Sequence, residues 1–225
     1  MTISSLADIG AMLPAIAIIV IGFIVGHSWR AMLWWCLLFF LGMFLVVVTK
    51  IAFVGWGVGI RALDFTGFSG HAMRATAVTP VLCYLLLQKA QPVVRNFGVM
   101  LGILFGVIIA VSRLVLHAHS VSEAVAGCAL GAAVSLSFIW IVGSSHNFVL
   151  SPLVATVCMV GLLIVPFAEP TPTQRWIIEI SLSISGHDRP YVRDGWQLAP
   201  YGWRDDGGKP AWRSAISLSM NHPVN

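Results

Sequence analysis

The chain has 225 residues, of which 58% are hydrophobic and 10% charged, against roughly 25% charge in an ordinary soluble domain. With a mean hydropathy of +0.88, that composition excludes a conventional soluble globular protein. It leaves a bilayer as the solvent, where only helices and closed barrels satisfy their backbone groups, and the long unbroken apolar runs select helices.

The charge is unevenly placed. Residues 1–168 hold seven Lys/Arg and three Asp/Glu, and residues 169–225 hold six of each. The net +4 therefore lies wholly in the membrane part, where every ionisable residue is a functional candidate. The pI of about 9.1 does not mark a basic surface, and nucleic acid is excluded as a partner.

A spanning helix takes about 20 mostly apolar residues, and the charges bracket six such runs. The first, about 9–29, lies between Asp8 and Arg30. It has no basic leader and no small-residue cleavage site, so it reads as a span rather than a signal peptide. The second runs from Arg30 to Lys50, with Trp34 and Trp35 as interfacial anchors near one end. The third, about 70–88, carries Arg74 near its start, and the fourth, about 97–116, closes on Arg113 and His117. No formal charge occurs between Glu123 and Glu169, which accommodates spans at about 119–142 and 148–168, broken at Gly143-Ser144-Ser145-His146-Asn147.

Six spans put both termini on one side, together with the 55–70 and 113–120 connections. The positive-inside rule assigns the loops carrying Arg30, Lys89 and Arg95 to the cytoplasm and leaves that first side outside. From Glu169 onward Pro170, Pro172, Pro190, Pro200 and Pro210 punctuate a polar stretch holding Trp196, Trp203 and Trp212. Such sequence reads as loop or a small appended layer rather than helix. The expected architecture is all-α: a polytopic six-transmembrane-helix bundle over 1–168 and a polar Pro/Gly/Trp-rich extension over 169–225. Cys36, Cys83, Cys128 and Cys158 lie within apolar runs without metal-ligand spacing and read as reduced, buried small hydrophobes.

Two polar clusters fall on the outer side. One is Gly67-Phe68-Ser69-Gly70-His71 at the mouth of span three, with Lys50 ending span two beside it. The other is Ser112-Arg113, then His117, Ala118, His119 and Glu123, at the junction of spans four and five. The Ser69 and Gly70 backbone N–H groups precede a helix and make an anion site with its dipole. Arg113 can grip an oxyanion through two donors, and Lys50 adds a point charge. His119 and Glu123, four apart on a helix, can pair so that the carboxylate fixes the imidazole tautomer and leaves the other ring nitrogen to attack phosphorus. His71 can then protonate the departing oxygen. Together these form a phosphoryl-transfer set.

The spacing Ser112-Arg113-x5-His119-x3-Glu123 resembles the third signature of the type 2 phosphatidic acid phosphatase superfamily, Ser-Arg-x5-His-x3-Asp. Phe68-Ser69-Gly70-His71 is similar to its second signature, Pro-Ser-Gly-His. The resemblance implies a six-helix membrane bundle with an extracytoplasmic site, no metal or other cofactor, and a lipid phosphate or diphosphate as substrate. It makes His119 the nucleophile, Glu123 its orienting carboxylate and His71 the general acid. Arg113, Ser69 and Gly70 become phosphate ligands, and Lys50 matches the lysine that opens the first signature. That signature, Lys-x6-Arg-Pro, continues here with Gly57 and Val58, so either the nearest arginine, Arg61, reaches in from a rearranged loop as the phosphate ligand or that contact is missing. Phosphatidate, prenyl diphosphates and phosphatidylglycerol phosphate all fit as substrates.

Each residue also has a plain structural reading. His119 alone is an ordinary interfacial histidine, Arg113 a snorkelling helix-end residue, and Arg74 an ion-pair partner for Asp64. Ser185-Gly186-His187 repeats the tripeptide in the tail by chance. His117 and His119 with Glu123 would make a partial zinc set, which the neighbouring arginine opposes. Joint spacing on one side of the membrane favours the phosphatase reading. Beside it stand a lipid phosphotransferase using the same histidine and a non-enzymatic phosphate-binding transporter or scaffold. The sequence assigns the membrane as partner and the bacterial cytoplasmic membrane as location, and leaves protein partners unknown.

Overall fold

Backbone groups that meet no water must bond within their own segment, and the apolar runs are helical accordingly. A computed structural model of the chain describes residues 29–115, 119–143 and 173–200, with Val20 and Ile24. The helices are α1 (Trp29–Trp56), α2 (Gly70–Leu86), α3 (Pro92–Val115), α4 (Val121–Gly143) and α5 (Thr173–Ser185). Among the described residues, α1, α3 and α4 are long and apolar enough to cross a bilayer. The expected spans at 9–29 and 148–168 lie outside the described residues, as does Cys158.

The residues pack into two compact units. One comprises 29–44, 69–115 and 119–143, and the other 45–68 with 173–200.

In the first unit α2 is the central helix: fourteen of its 17 residues are buried. Glycines on its neighbours permit that. A Cβ at Gly102 would stand 2.6 Å from Pro80 Cα, and one at Gly127 would stand 2.6 Å from Ser69 O. Gly106 and Gly131 both abut Thr76. Glycines four apart on α3 and on α4 thus bring two backbones against α2, the small-residue route by which membrane helices pack. Pro80 interrupts the hydrogen-bond ladder of α2. Beside it Thr79 Oγ1 lies 2.7 Å from both Ala75 O and Gly102 O, so its hydroxyl donor bridges α2 to α3. The outer faces of α1, α3 and α4 expose Leu37, Phe40, Phe44, Leu104 and Val125, as lipid contact requires.

Trp35 departs from its expected interfacial place. It is 1% exposed and stacks on Phe39 at a centroid distance of 5.2 Å, whereas Trp34 is exposed as anticipated. Both lie on α1, but a helix gives adjacent residues different faces.

The second unit corrects the reading of the tail. Residues expected to be loop form α5, whose Ile178 and Leu182, four apart, join Phe53 and Val54 in a buried cluster. Tyr191–Val192 (β1) then pairs antiparallel with Gln197–Leu198 (β2), a small β element in an otherwise helical chain. Ser185-Gly186-His187 is no idle repeat: Gly186, at φ 70°, ends α5 by donating to Leu182 O. His187 Nδ1 lies 2.8 Å from Gly55 O. Nor does Lys50 end its helix, since α1 continues to Trp56.

Filling the α2 contacts should destabilise the first unit. Gly131→Val is expected to cost about 1–3 kcal/mol or more through overpacking against Thr76, read as a lowered unfolding midpoint in detergent. Gly143→Ala, whose Cβ would meet only Tyr84 Oη at 3.4 Å, should leave the midpoint unchanged.

Candidate active site

Because a five-residue connection joins α2 to α3, the two run antiparallel, and the start of α2 lies level with the end of α3. Ala72, Ala110 and Ala124 meet there in one buried cluster, one alanine from each of α2, α3 and α4. Three alanines leave room for the backbones to close, and they bring to one end the residues just beyond them: Ser69, Gly70 and His71 opening α2, Arg113 in the last turn of α3, and His119 to Glu123 opening α4.

The tightest part is built around Glu123. Ser120-Val121-Ser122-Glu123 is a capping box. Ser120 Oγ accepts from Glu123 N at 3.4 Å, while Glu123 Oε2 accepts from Ser120 N at 3.3 Å. The same Oε2 lies 2.8 Å from His119 Nδ1. A carboxylate is acceptor-only, so Nδ1 carries a proton, and in the neutral ring Nε2 is the lone-pair nitrogen. The side chains are 11% and 1% exposed, which shields the pair from the screening that weakens surface ion pairs. The backbone of Glu123 is used as well: its carbonyl accepts from Ser69 N at 3.1 Å, tying the start of α2 to the first turn of α4.

That bond corrects one expectation. The Ser69 N–H is spent on Glu123 rather than offered to an anion, and Ser69 Oγ caps α2 by accepting from Ala72 N at 3.4 Å. The next amide of this terminus is that of Gly70, the first residue of the helix, at the positive end of the helix dipole. Ser112 is likewise turned into its own helix, donating to Ile109 O at 2.7 Å.

Charge at this end favours an anion. Among the described residues of this unit Glu123 is the single carboxylate. Against it stand half-buried Arg113, where a cation also suits the negative end of α3, and Arg74, buried one turn into α2. The ion-pair partner expected for Arg74 is engaged elsewhere: Asp64 Oδ2 accepts from Arg193 Nη1 at 2.9 Å. Among the described residues no three His, Cys, Asp or Glu side chains converge as a metal-binding group.

Lys50 and Arg61 belong to the second unit. Gly67, at φ 149°, packs against Lys50, and Thr49 Oγ1 accepts from Phe68 N at 3.3 Å, fixing the chain just before Ser69. Arg61 opens a short 3-10 turn, Arg61–Leu63. Its Nη2 donates to Trp196 O at 3.0 Å and its guanidinium lies 5.8 Å from the centre of the Trp196 ring. His117 lies outside the described residues. The sequence reading overlooked Ser120, although Ser-x-x-Glu before an apolar run is the standard sign of a helix start.

Comparison with known proteins bears on these residues. A family model described as the PAP2 superfamily matches residues 56–146. The chain is 35% identical over 196 residues to an uncharacterized 22.5 kDa protein in the cps region of Klebsiella pneumoniae, covering 85% of this chain and 94% of that one. No solved structure matches.

Removing the capping hydroxyl should loosen the site from its base. Ser120→Ala is expected to lower unfolding stability by about 1 kcal/mol, measured by thermal unfolding in detergent, whereas Ser120→Asp, which restores a capping oxygen, should recover most of the loss.

Proposed function

This chain belongs to the PAP2 superfamily, whose members are generally phosphatases, and on that premise we propose that it is an integral-membrane phosphatase acting on a lipid phosphate or diphosphate through a phosphohistidine at His119. The observation that carries the proposal is the 2.8 Å pair between His119 Nδ1 and the buried Glu123 carboxylate. It sets the tautomer that a nucleophilic Nε2 requires, and it stands at the helix end that also carries Ser69, Gly70, His71 and Arg113.

The reaction runs in two steps. The Nε2 lone pair attacks phosphorus as the bond to the leaving oxygen breaks, and His71 gives that oxygen its proton. The carboxylate of Glu123 stabilises the cationic ring. Water then attacks the phosphohistidine, losing a proton to His71, and phosphate departs with the imidazole restored. Arg113 and the amide of Gly70 hold the phosphoryl oxygens, whose charge they stabilise most in the transition state. Lys50 and Arg61 complete the set of cations as phosphate ligands, and no metal takes part. A bilayer site suits such a substrate, since the acyl or prenyl part stays in lipid while the headgroup meets the polar helix ends. The loop charges at Arg30, Lys89 and Arg95 orient the site outward from a bacterial cytoplasmic membrane.

Purified protein in EDTA should release phosphate from phosphatidate or a prenyl diphosphate in mixed micelles. His119→Ala should fall to background and lose the acid-labile phosphoenzyme trapped from labelled substrate. Full activity in that variant would overturn the mechanism. A phosphorylated acceptor lipid in place of free phosphate would assign a transferase, and vanadate binding without turnover a non-enzymatic protein.

His71→Ala should lose about 10²–10⁴-fold on an alkyl phosphate and much less on p-nitrophenyl phosphate, whose leaving group needs no proton. Equal losses on the two would remove His71 from the acid role. Arg113→Ala should lower kcat/KM by about 10²–10³-fold.

A further inference from the structure

The 57–68 loop has little to hold its own shape. It contains Gly57 at φ 69° and Gly67 at φ 149°, with Asp64 also left-handed at φ 49°. Its internal contacts include a bridge between Ile60 and Phe65, with N–H···O distances of 2.9 and 3.1 Å, the 3-10 turn it encloses, and a T-shaped Phe65–Phe68 ring pair at 5.5 Å. Glycine-rich backbone of this kind is costly to order. At the place where the first signature would supply a stiffening proline stands Val58.

Beyond its junctions with α1 at Ala52, Phe53 and Thr49, the loop is held by the C-terminal hairpin of the same unit. Trp196 donates its indole N–H to Gly57 O at 2.8 Å, accepts from Arg61 Nη2 on its carbonyl, and sets its ring against Phe53 at 5.0 Å and beneath the Arg61 guanidinium. Arg193 reaches the far half of the loop, donating to Asp64 Oδ2 at 2.9 Å and to Thr66 Oγ1 at 3.4 Å. Tyr191 packs on Gly57. The loop is thus gripped at 57, 61, 64 and 66 by residues 191–196. Trp196 adopts φ 54° to do so, a conformation rare for a bulky residue and retained where surrounding contacts enforce it.

We propose that the C-terminal hairpin is a strap that shapes the 57–68 loop, and that Trp196 is a positioning residue for substrate binding, acting through Arg61. This rests on the phosphatase reading and on Arg61 as a phosphate ligand. An arginine held by a carbonyl and an aromatic face has lost rotamer freedom before substrate arrives, so less is lost on binding. One of its five N–H donors is used in the Trp196 bond, which leaves the others to an oxyanion and fixes the plane of the group. At its other end the loop continues through Gly67 and Phe68, anchored on Thr49 and Lys50, directly into Ser69.

The test is a pair of measurements on the full chain in detergent. With a lipid phosphate, Trp196→Ala should raise KM about two- to tenfold, the effect of freeing one long side chain, with kcat within about twofold. Added to Arg61→Ala it should change KM no further, because both remove the same contact. Trp196→Phe, which keeps the ring and loses the N–H, should fall between and carries the test if Trp196→Ala fails to fold. Unchanged KM in the folded variants, or effects that multiply in the double variant, would overturn the proposal.

The second measurement needs no substrate: hydrogen exchange at the Ile60 and Phe65 amides should accelerate in Trp196→Phe. If wild type turns over nothing yet exchange accelerates, the strap stands and the phosphatase reading falls. Unaltered exchange sinks the strap whatever wild type does.

Discussion

A carboxylate buried among apolar helices is tolerated only while its charge and its lone pairs are answered. Glu123 is answered by the Ser120 amide and by the His119 ring, both on one oxygen, while its backbone carbonyl holds the Ser69 amide. Each of these contacts also has a task beyond satisfying Glu123. The first starts α4, the second sets the tautomer of the proposed nucleophile, and the third fixes where α2 begins relative to α4. The site therefore inherits its geometry from helix-end chemistry, and the glutamate that replaces the aspartate of the family pattern is the residue type that a capping box calls for.

Close helix approach makes those contacts possible. The Ser69–Glu123 bond needs the α2 and α4 backbones within hydrogen-bond reach, and Gly127 supplies the space, since a side chain there would run into Ser69 O. Ala72, Ala110 and Ala124 do the same for the three helices together. Membrane helices gain little from hydrophobic burial against one another, so small residues and interhelical bonds such as Thr79 to Gly102 carry the packing. Many bulky apolar residues of α1, α3 and α4, among them Leu37, Leu104 and Trp140, are turned outward.

Much of this was legible in the sequence. The helices α1 to α4 follow from apolar length between charges, with α1, α3 and α4 long enough to cross a bilayer, and the pairing of His119 with Glu123 follows from i,i+4 spacing. Three features were hidden for identifiable reasons. The helix α5 lies among prolines and polar residues, and its apolar positions Ile178 and Leu182 make sense only beside Phe53 and Val54, a contact no local pattern encodes. Trp35 follows Trp34 directly, so composition treats them alike, while helix geometry buries one and exposes the other. The use of the Ser69 amide is a tertiary bond to a residue more than fifty positions away, and only the fold shows that this N–H is spent on the Glu123 carbonyl.

The all-round burial of α2 bears on how the protein is assembled. The other apolar helices can each rest in lipid alone. Gly70–Leu86 carries His71, Arg74, Thr76, Thr79 and Pro80 within 17 residues. Arg74, one turn into the helix, adds an insertion cost, though below the roughly 2.5–3.5 kcal/mol of an arginine at the centre of a spanning helix, and a broken backbone ladder adds to that in hydrocarbon. Such a segment is a poor independent passenger of the insertion machinery. It reaches a stable state only as α3 and α4 close over it, so the helix that bears the second signature is the one whose membrane integration depends on completed tertiary structure.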